Sequence, residues 1–174
     1  MPPGNGLTVA RLDRPDPGLI KRLEAYDFEA FGSLGLRTYD LVVMAQAGAI
    51  FMAEIDGEFV GSCQLLRMLD EPAFFYVVGF YIRPESQGRH LGRALLLGVA
   101  EQAQKLGAEG LVLAVAPDNV RAMNLYRSAG FVDEAFISQF YGEGEDRHIL
   151  RWRFPREACT AVYDRKPTKE MRTL

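Results

Sequence analysis

Histidine, cysteine and tryptophan are scarce: the 174 residues hold two histidines, two cysteines and one tryptophan. Cys63 and Cys159 form no metal or redox spacing and do not suggest a disulfide framework. Cys63 falls in an apolar strand and is expected to be a packed thiol. Excess charge is also missing. The net value of -3 gives no electrostatic case for binding nucleic acid. No apolar run is long enough to span a membrane, and the polar start MPPGNG lacks the basic-then-apolar order of a signal peptide. A cytoplasmic, reducing location is the expectation. Repeats and low-complexity runs are absent too. What remains is ordinary: 48% hydrophobic and 25% charged residues, enough for the core of one domain.

Two glycine-rich fingerprints can be excluded in the stretch FYVVGFYIRPESQGRHLGRALLLGVAEQAQKLG, which ends at Gly107. It has no Gly-Lys-Ser/Thr for a P-loop and no G-x-G-x-x-G for a dinucleotide turn. Its first part is aromatic and β-branched and reads as a buried strand ended by Pro84. Leu91, Ala94, Leu95, Val99, Ala103 and Leu106 follow at helical spacing, and Gly107 sits at the C-cap position. Gly88 and Gly92 lie at the loop between them. Such a loop aims backbone N–H groups at one spot on the positive end of a helix, where a phosphate is well placed. A tight turn without ligand is the competing reading.

The rest of the chain is patterned as alternating elements. LTVARL, Leu7 to Leu12, reads as a strand, and RPDPG as a turn. Leu19, Leu23, Tyr26 and Ala30 suggest a helix, interrupted at Gly32 and Gly35, with a second helical run from Leu36 to Ala47. Ala49 to Ile55 and Glu58 to Met68 form a hairpin around Asp56-Gly57, a turn pair suited to positive φ. The connection from the central strand through the Leu91 helix to GLVLAV predicts parallel strands with a right-handed crossover. VRAMNLYRSAGF is a helix ending at Gly130. Two strands close the domain, Val132 to Phe140 and Arg147 to Phe154, joined by YGEGED. Residues 1–154 form the expected domain. The polar segment 155–174 is expected to be a tail, packed on this domain or on a neighbouring subunit of a homodimer, or a flexible end.

The loop and the second helix together resemble the GNAT family of N-acetyltransferases. The family's loop Q/R-x-x-G-x-G/A is matched by Gln87, His90 and Gly92, with Gly88 and Arg89 between. Its second signature, N-x-x-A-x-x-L-Y-x-x-x-G-F, is met by Asn119, Ala122, Leu125, Tyr126, Gly130 and Phe131. His90 replaces the usual first glycine, which predicts a negative φ there or a side chain crowding the pyrophosphate. FYGEGEDRHILRW resembles, more weakly, members that acetylate protein N-termini or ribosomal proteins.

The resemblance implies an α/β fold: a mixed, mostly antiparallel sheet of about seven strands with helices on both faces. It implies acetyl-CoA as cosubstrate, no metal, and a primary amine acceptor, either a small molecule or a peptide N-terminus. Gln87, Gly88, Arg89, His90, Leu91, Gly92 and Arg93 would hold the pyrophosphate. Backbone groups near Tyr81 and Ile82 would meet the thioester carbonyl. Asn119 would bind the pantetheine arm, and Tyr126 would protonate the departing sulfur. A tyrosine hydroxyl titrates near that of a thiol, at about 10. The competing readings are a helix cap at Asn119, a core tyrosine at position 126, and an acyl-CoA-binding module without catalysis.

In the family the first two helices border the acceptor pocket, so Asp27, Glu29, Tyr39 and Asp40 are candidates to meet the amine, against a reading as solvated helix residues. Related N-terminal acetyltransferases carry Glu or His in the strand before the Asn119 helix. This chain has Leu113, Ala114 and Val115 there. Glu54, Glu85, Tyr141 and His148 remain as candidate bases, alongside a water chain.

Overall fold

In the computed structural model, residues 6–155 are described. Seven strands form one sheet in the order β1-β2-β3-β4-β5-β7-β6. They are β1 (Leu7–Arg11), β2 (Ala49–Ile55), β3 (Glu58–Arg67), β4 (Phe74–Ile82), β5 (Gly110–Val115), β6 (Val132–Ile137) and β7 (Arg147–Arg153). The helices are α1 (Pro17–Phe31), α2 (Thr38–Ala47), α3 (Leu91–Lys105) and α4 (Val120–Ala129). Every strand pairing is antiparallel except β4 with β5. The α3 crossover accounts for that exception, since parallel neighbours need a long connection.

The helices cover both faces of the sheet. Leu95, Leu96, Val99 and Ala103 of α3 join Phe51, Cys63, Leu65, Leu111 and Leu113 in one core, to which Tyr126, Phe131 and Trp152 belong. Ile20, Leu23, Leu41 and Met44 of α1 and α2 pack with Ile50 in a second. These are the apolar stripes of amphipathic helices, each closed by the strand residues that alternate toward it.

Several boundaries differ from the pattern-based ones. The second helical run begins at Thr38 rather than Leu36, because Arg37 is an extended N-cap with φ -87° and ψ 168° whose N–H is taken by Asp40; the Leu36 N–H before it goes to Asp27. β6 stops at Ile137 rather than Phe140. There Gln139 adopts φ 53° and donates its N–H to Asp146. The Asp56-Gly57 hairpin turn has positive φ at both residues, 52° and 81°. The segment 156–174, with the expected tail and Cys159, lies outside the described residues.

The feature that positions the site is a divergence of β4 from β5. Their pairing runs only from Phe74↔Gly110 to Val77↔Leu113. Beyond it β4 continues with β3 to Ile82↔Gly61, and β5 continues with β7 to Val115↔His148. Gln64 of β3 faces Gly79 while the next residue, Leu65, faces Val77, so Val78 is bulged. A bulge bends its strand and increases local twist. It sits where the two strands part.

Candidate active site

The split frees one edge of β4. Arg83 donates its N–H to the Val60 carbonyl at 2.9 Å. By antiparallel alternation, the backbone groups of Tyr81 and Gly79 also turn to β3, and those of Phe80 and Ile82 turn into the split. Of the two positions expected to face a thioester, Ile82 therefore presents its backbone to the split. Tyr81 points its main chain at Ser62 and its side chain at α1. Phe80 was not singled out from the sequence, because parity within a bulged strand cannot be counted from residue types.

The glycine loop closes the end of the split. Gln87 donates its side-chain amide to the Ile82 carbonyl at 3.0 Å and accepts from Arg121 at 2.7 Å. Gly88 has φ 78°, and a side-chain carbon there would meet nothing within 4 Å, so the loop is open on that side. His90 adopts φ 58° and ψ 15°, not the negative φ expected of a non-glycine residue. Entry into α3 requires a left-handed turn at that residue, and histidine is among the residues that tolerate it best. His90 provides no side-chain cap, so the first N–H groups of α3, at Leu91, Gly92 and Arg93, are unclaimed by a capping side chain. Leu91 is buried and contributes only its backbone; Arg89 and Arg93 are exposed. Arg89 also borders a surface hollow of about 340 Å³ with Asp56, Glu58 and Ser86. Gly92 faces α4, where a side-chain carbon would lie 3.3 Å from Leu125.

On α4, Asn119 is the N-cap: its Oδ1 accepts the Ala122 N–H at 3.1 Å. Its side-chain N–H groups stay available, since the cap uses only the oxygen. Tyr126 is 8% exposed, with its ring 6.0 Å from Phe80 and 5.5 Å from Phe131. Burial, with the Cys63 thiol nearby, pushes its hydroxyl well above the usual tyrosine range. The hydroxyl is a weaker acid than the sequence-based value implies, and it stays protonated as a donor. Burial likewise raises the Cys63 thiol, which is fully enclosed.

The acceptor candidates separate. Tyr39 is 77% exposed, Asp40 accepts the Arg37 N–H in a helix cap, and Glu29 lies 3.7 Å from Arg83. Asp27, by contrast, is fully buried and neither a solvated helix residue nor open to a substrate. The Leu36 N–H and the Gln64 side-chain amide donate to it at 3.3 and 3.2 Å. Gln64 and Ser62 were missed; the signal was two polar residues alternating on one face of an otherwise apolar strand. Among the described residues no cluster of three His, Cys, Asp or Glu is placed to hold a metal, and no helix is long and apolar enough to cross a membrane.

A parted parallel pair, an uncapped helix end behind a glycine loop, and an asparagine–tyrosine helix beside them define an acyl-CoA type of α/β fold. Residues 13–131 match the acetyltransferase (GNAT) family model, and the chain belongs to that family. It is 34% identical over 91 residues to a mycothiol acetyltransferase of Sanguibacter keddieii; the match covers 49% of this chain and 28% of that protein. The chain thus spans well under half the length of that relative. In fold it is similar to the ribosomal-protein-S18-alanine N-acetyltransferase of Escherichia coli, with TM-score 0.69, 20% identity, and coverage of 90% of this chain and 99% of that one. It is equally similar to a Bacillus subtilis acetyltransferase solved in complex with CoA, with TM-score 0.69, 20% identity, and coverage of 86% and 99%.

Proposed function

We propose that the chain transfers an acetyl group from acetyl-CoA to a primary amine by direct attack, with Tyr126 as the donor to the leaving sulfur. The observation that carries this reading is the β4–β5 split, which opens beside both signature motifs at once. Phosphate oxygens would meet the N–H groups of Gly88 to Arg93, where the helix end carries positive partial charge. The pantetheine arm would run along the freed edge of β4 and accept from the side-chain amide of Asn119. The Ile82 or Phe80 N–H would polarise the thioester carbonyl, since a preorganised donor in a dry cleft stabilises an oxyanion well. The amine nitrogen then bonds to the acetyl carbon, the carbon–sulfur bond breaks, and the thiolate takes a proton from Tyr126.

For the acceptor, a peptide N-terminus is favoured over a small-molecule amine by the FYGEGEDRHILRW ending and the likeness to the S18-alanine enzyme. The test is CoA-thiol release from acetyl-CoA across peptides, polyamines, amino acids and aminoglycosides. Turnover with at least one primary amine is expected, together with a rise in thermal stability on adding acetyl-CoA that follows RT ln(1 + [L]/Kd). Gly92→Asp should abolish that rise by setting a carboxylate against the phosphates, and Gly92→Ala controls for the contact with Leu125. Binding without turnover on any amine would leave a cofactor-binding module; no binding at millimolar acetyl-CoA would overturn the reading.

A further inference from the structure

Most of the candidate bases from the sequence stand away from the split or are engaged. Glu54 lies on β2, two strands from it, paired with Thr8 and Phe59. Glu85 is ion-paired with Arg83 at 2.6 Å, and His148 Nδ1 lies 3.2 Å from Asp133. Tyr141 is different: its hydroxyl lies 3.2 Å from that of Tyr76 on β4.

The two faces of the sheet are unlike at the split. α3, α4 and Tyr126 pack on the face that carries Leu65, Val77 and Leu113. A cofactor held by those helices leaves the opposite face for the acceptor. On that face Tyr76 is opposite Leu66, Gly79 opposite Gln64 and Tyr81 opposite Ser62, so the three share one side of β4. It is the side of α1, whose Asp27 accepts from Gln64. Tyr76 and Gly79 are neighbours there, because the bulged Val78 drops out of the alternation. They stand where the ladder with β5 ends, at Val77↔Leu113.

Aromatic rings border both positions. Phe31, the last residue of α1, has a ring edge 3.6 Å from the place of a side-chain carbon on Gly79, and it is still 37% exposed. The same carbon would lie 2.5 Å from Gln64 Oε1, so only glycine fits between them. Over Tyr76, the loop from β6 to β7 sets Tyr141, with the Arg147 guanidinium 4.9 Å from its ring centre. The nearby carboxylates are engaged. Asp27 is buried, Glu29 lies 3.7 Å from Arg83, Glu145 lies 2.6 Å from Arg147, and Asp146 accepts the Gln139 N–H at 2.8 Å.

We infer that the acceptor is a peptide N-terminus with a large apolar first side chain, such as leucine, methionine or phenylalanine, seated against Phe31 while the Tyr76–Tyr141 hydroxyl pair accepts an N–H of its amine. This rests on the acetyl-transfer reading. Hydroxyl oxygens keep lone pairs when they bond to each other, so the pair still accepts. An amine that donates its N–H there keeps its own lone pair free to attack. Covering the exposed Phe31 ring removes apolar surface from water only if the first side chain is large and apolar. A polyamine would find these carboxylates already paired, and Arg147 already on the Tyr141 ring.

The experiment is kcat/KM on peptides that differ only in the first residue, Leu, Met, Phe, Ala, Ser or Glu, with spermidine beside them. Wild type, Phe31→Ala, Tyr141→Ala and Tyr76→Phe are compared, and the acetyl-CoA thermal shift is measured on each. Wild type should prefer the Leu, Met and Phe peptides over the Ala and Ser peptides by about tenfold or more. Phe31→Ala should remove that preference with the acetyl-CoA shift unchanged. Tyr76→Phe should raise KM for every peptide and leave their ranking intact. Tyr141→Ala, at a residue 59% exposed, should do the same, so the pair is tested even if a β4 variant does not fold. A wild type that uses Ala, Ser or Glu peptides as well as Leu, or spermidine better than any peptide, would overturn the inference. So would a Phe31→Ala protein that keeps the wild-type ranking. A wild type with neither acetyl-CoA shift nor turnover would instead remove the acetyl-transfer reading, and this inference with it.

Discussion

Arg121, in the first turn of α4, donates to Oε1 of Gln87 at 2.7 Å, and Gln87 in turn donates to the Ile82 carbonyl at 3.0 Å. One glutamine side chain thus ties the end of β4, the glycine loop and α4 into a single unit. It also occupies a carbonyl that the split would otherwise leave open. The loop's geometry is set by this brace as much as by its glycines.

Arg121→Ala and Gln87→Ala should each weaken acetyl-CoA binding by about tenfold, or about 1.4 kcal/mol. Their exposure predicts little change in melting temperature. The double variant should lose scarcely more than either single one, because both act through one contact. Titration calorimetry on the four proteins checks this; losses that add in full would show that the brace is not what couples them.

Asn119 combines a cap with an available amide. Asn119→Ala should cost about 1 kcal/mol of stability through the lost bond to the Ala122 N–H. Asn119→Asp keeps the cap oxygen and places a negative charge at a helix N-terminus, so stability should hold or rise slightly. It removes the N–H donor, so acetyl-CoA affinity should fall several-fold despite the intact fold. Melting curves with and without acetyl-CoA separate the two roles.

Tyr126→Phe removes one hydroxyl that has no hydrogen-bond partner among the described residues, so packing against Phe80 and Phe131 should persist. If that hydroxyl supplies the leaving thiolate, kcat should fall by roughly 10²–10⁴ with acetyl-CoA affinity nearly constant. The loss should shrink with a thioester of a more acidic thiol, which departs with less help. Because burial raises this hydroxyl, no new pH dependence should come from it below pH 9. Equal rates for mutant and wild type, with chemistry limiting, would remove Tyr126 from the mechanism.

Asp27 also predicts how stability varies with pH. Its carboxyl titrates at about 6 in the folded chain, through burial, against about 4 when unfolded. Between those values the folded state holds a proton that the unfolded state has released. Its contribution is therefore full below about pH 4 and lost as pH rises through 6. The size is on the order of 3 kcal/mol. The difference in unfolding free energy between wild type and Asp27→Asn, followed by denaturant titration from pH 4 to 8, should change in that window and be flat above about pH 7. A difference independent of pH would contradict the buried carboxyl.

The succession of strands and helices along the chain, the hairpin at Asp56-Gly57 and the stripe of α3 were legible because each rests on a short-range pattern. The loop from Gln87 to Arg93 was legible for the same reason. The backbone at His90 was not. Residue type argued for negative φ, but the junction of loop and helix imposes 58°. Leu36 was read as helical because its pattern is apolar, while its N–H serves Asp27 nine residues earlier.

By itself the sequence determined the family, the glycine loop that opens α3, and the asparagine and tyrosine of α4. Those follow from residues within one or two turns of each other. The tertiary structure alone decided where β4 leaves β5, which backbone groups face the opening, and that Asp27 lies beneath Tyr81 and Gln64 rather than in water. Each depends on strands and helices far apart in sequence meeting at one place. A bulge at Val78 shifts parity, and the packing of α1 against β3 buries a carboxylate that local spacing leaves on an open helix face.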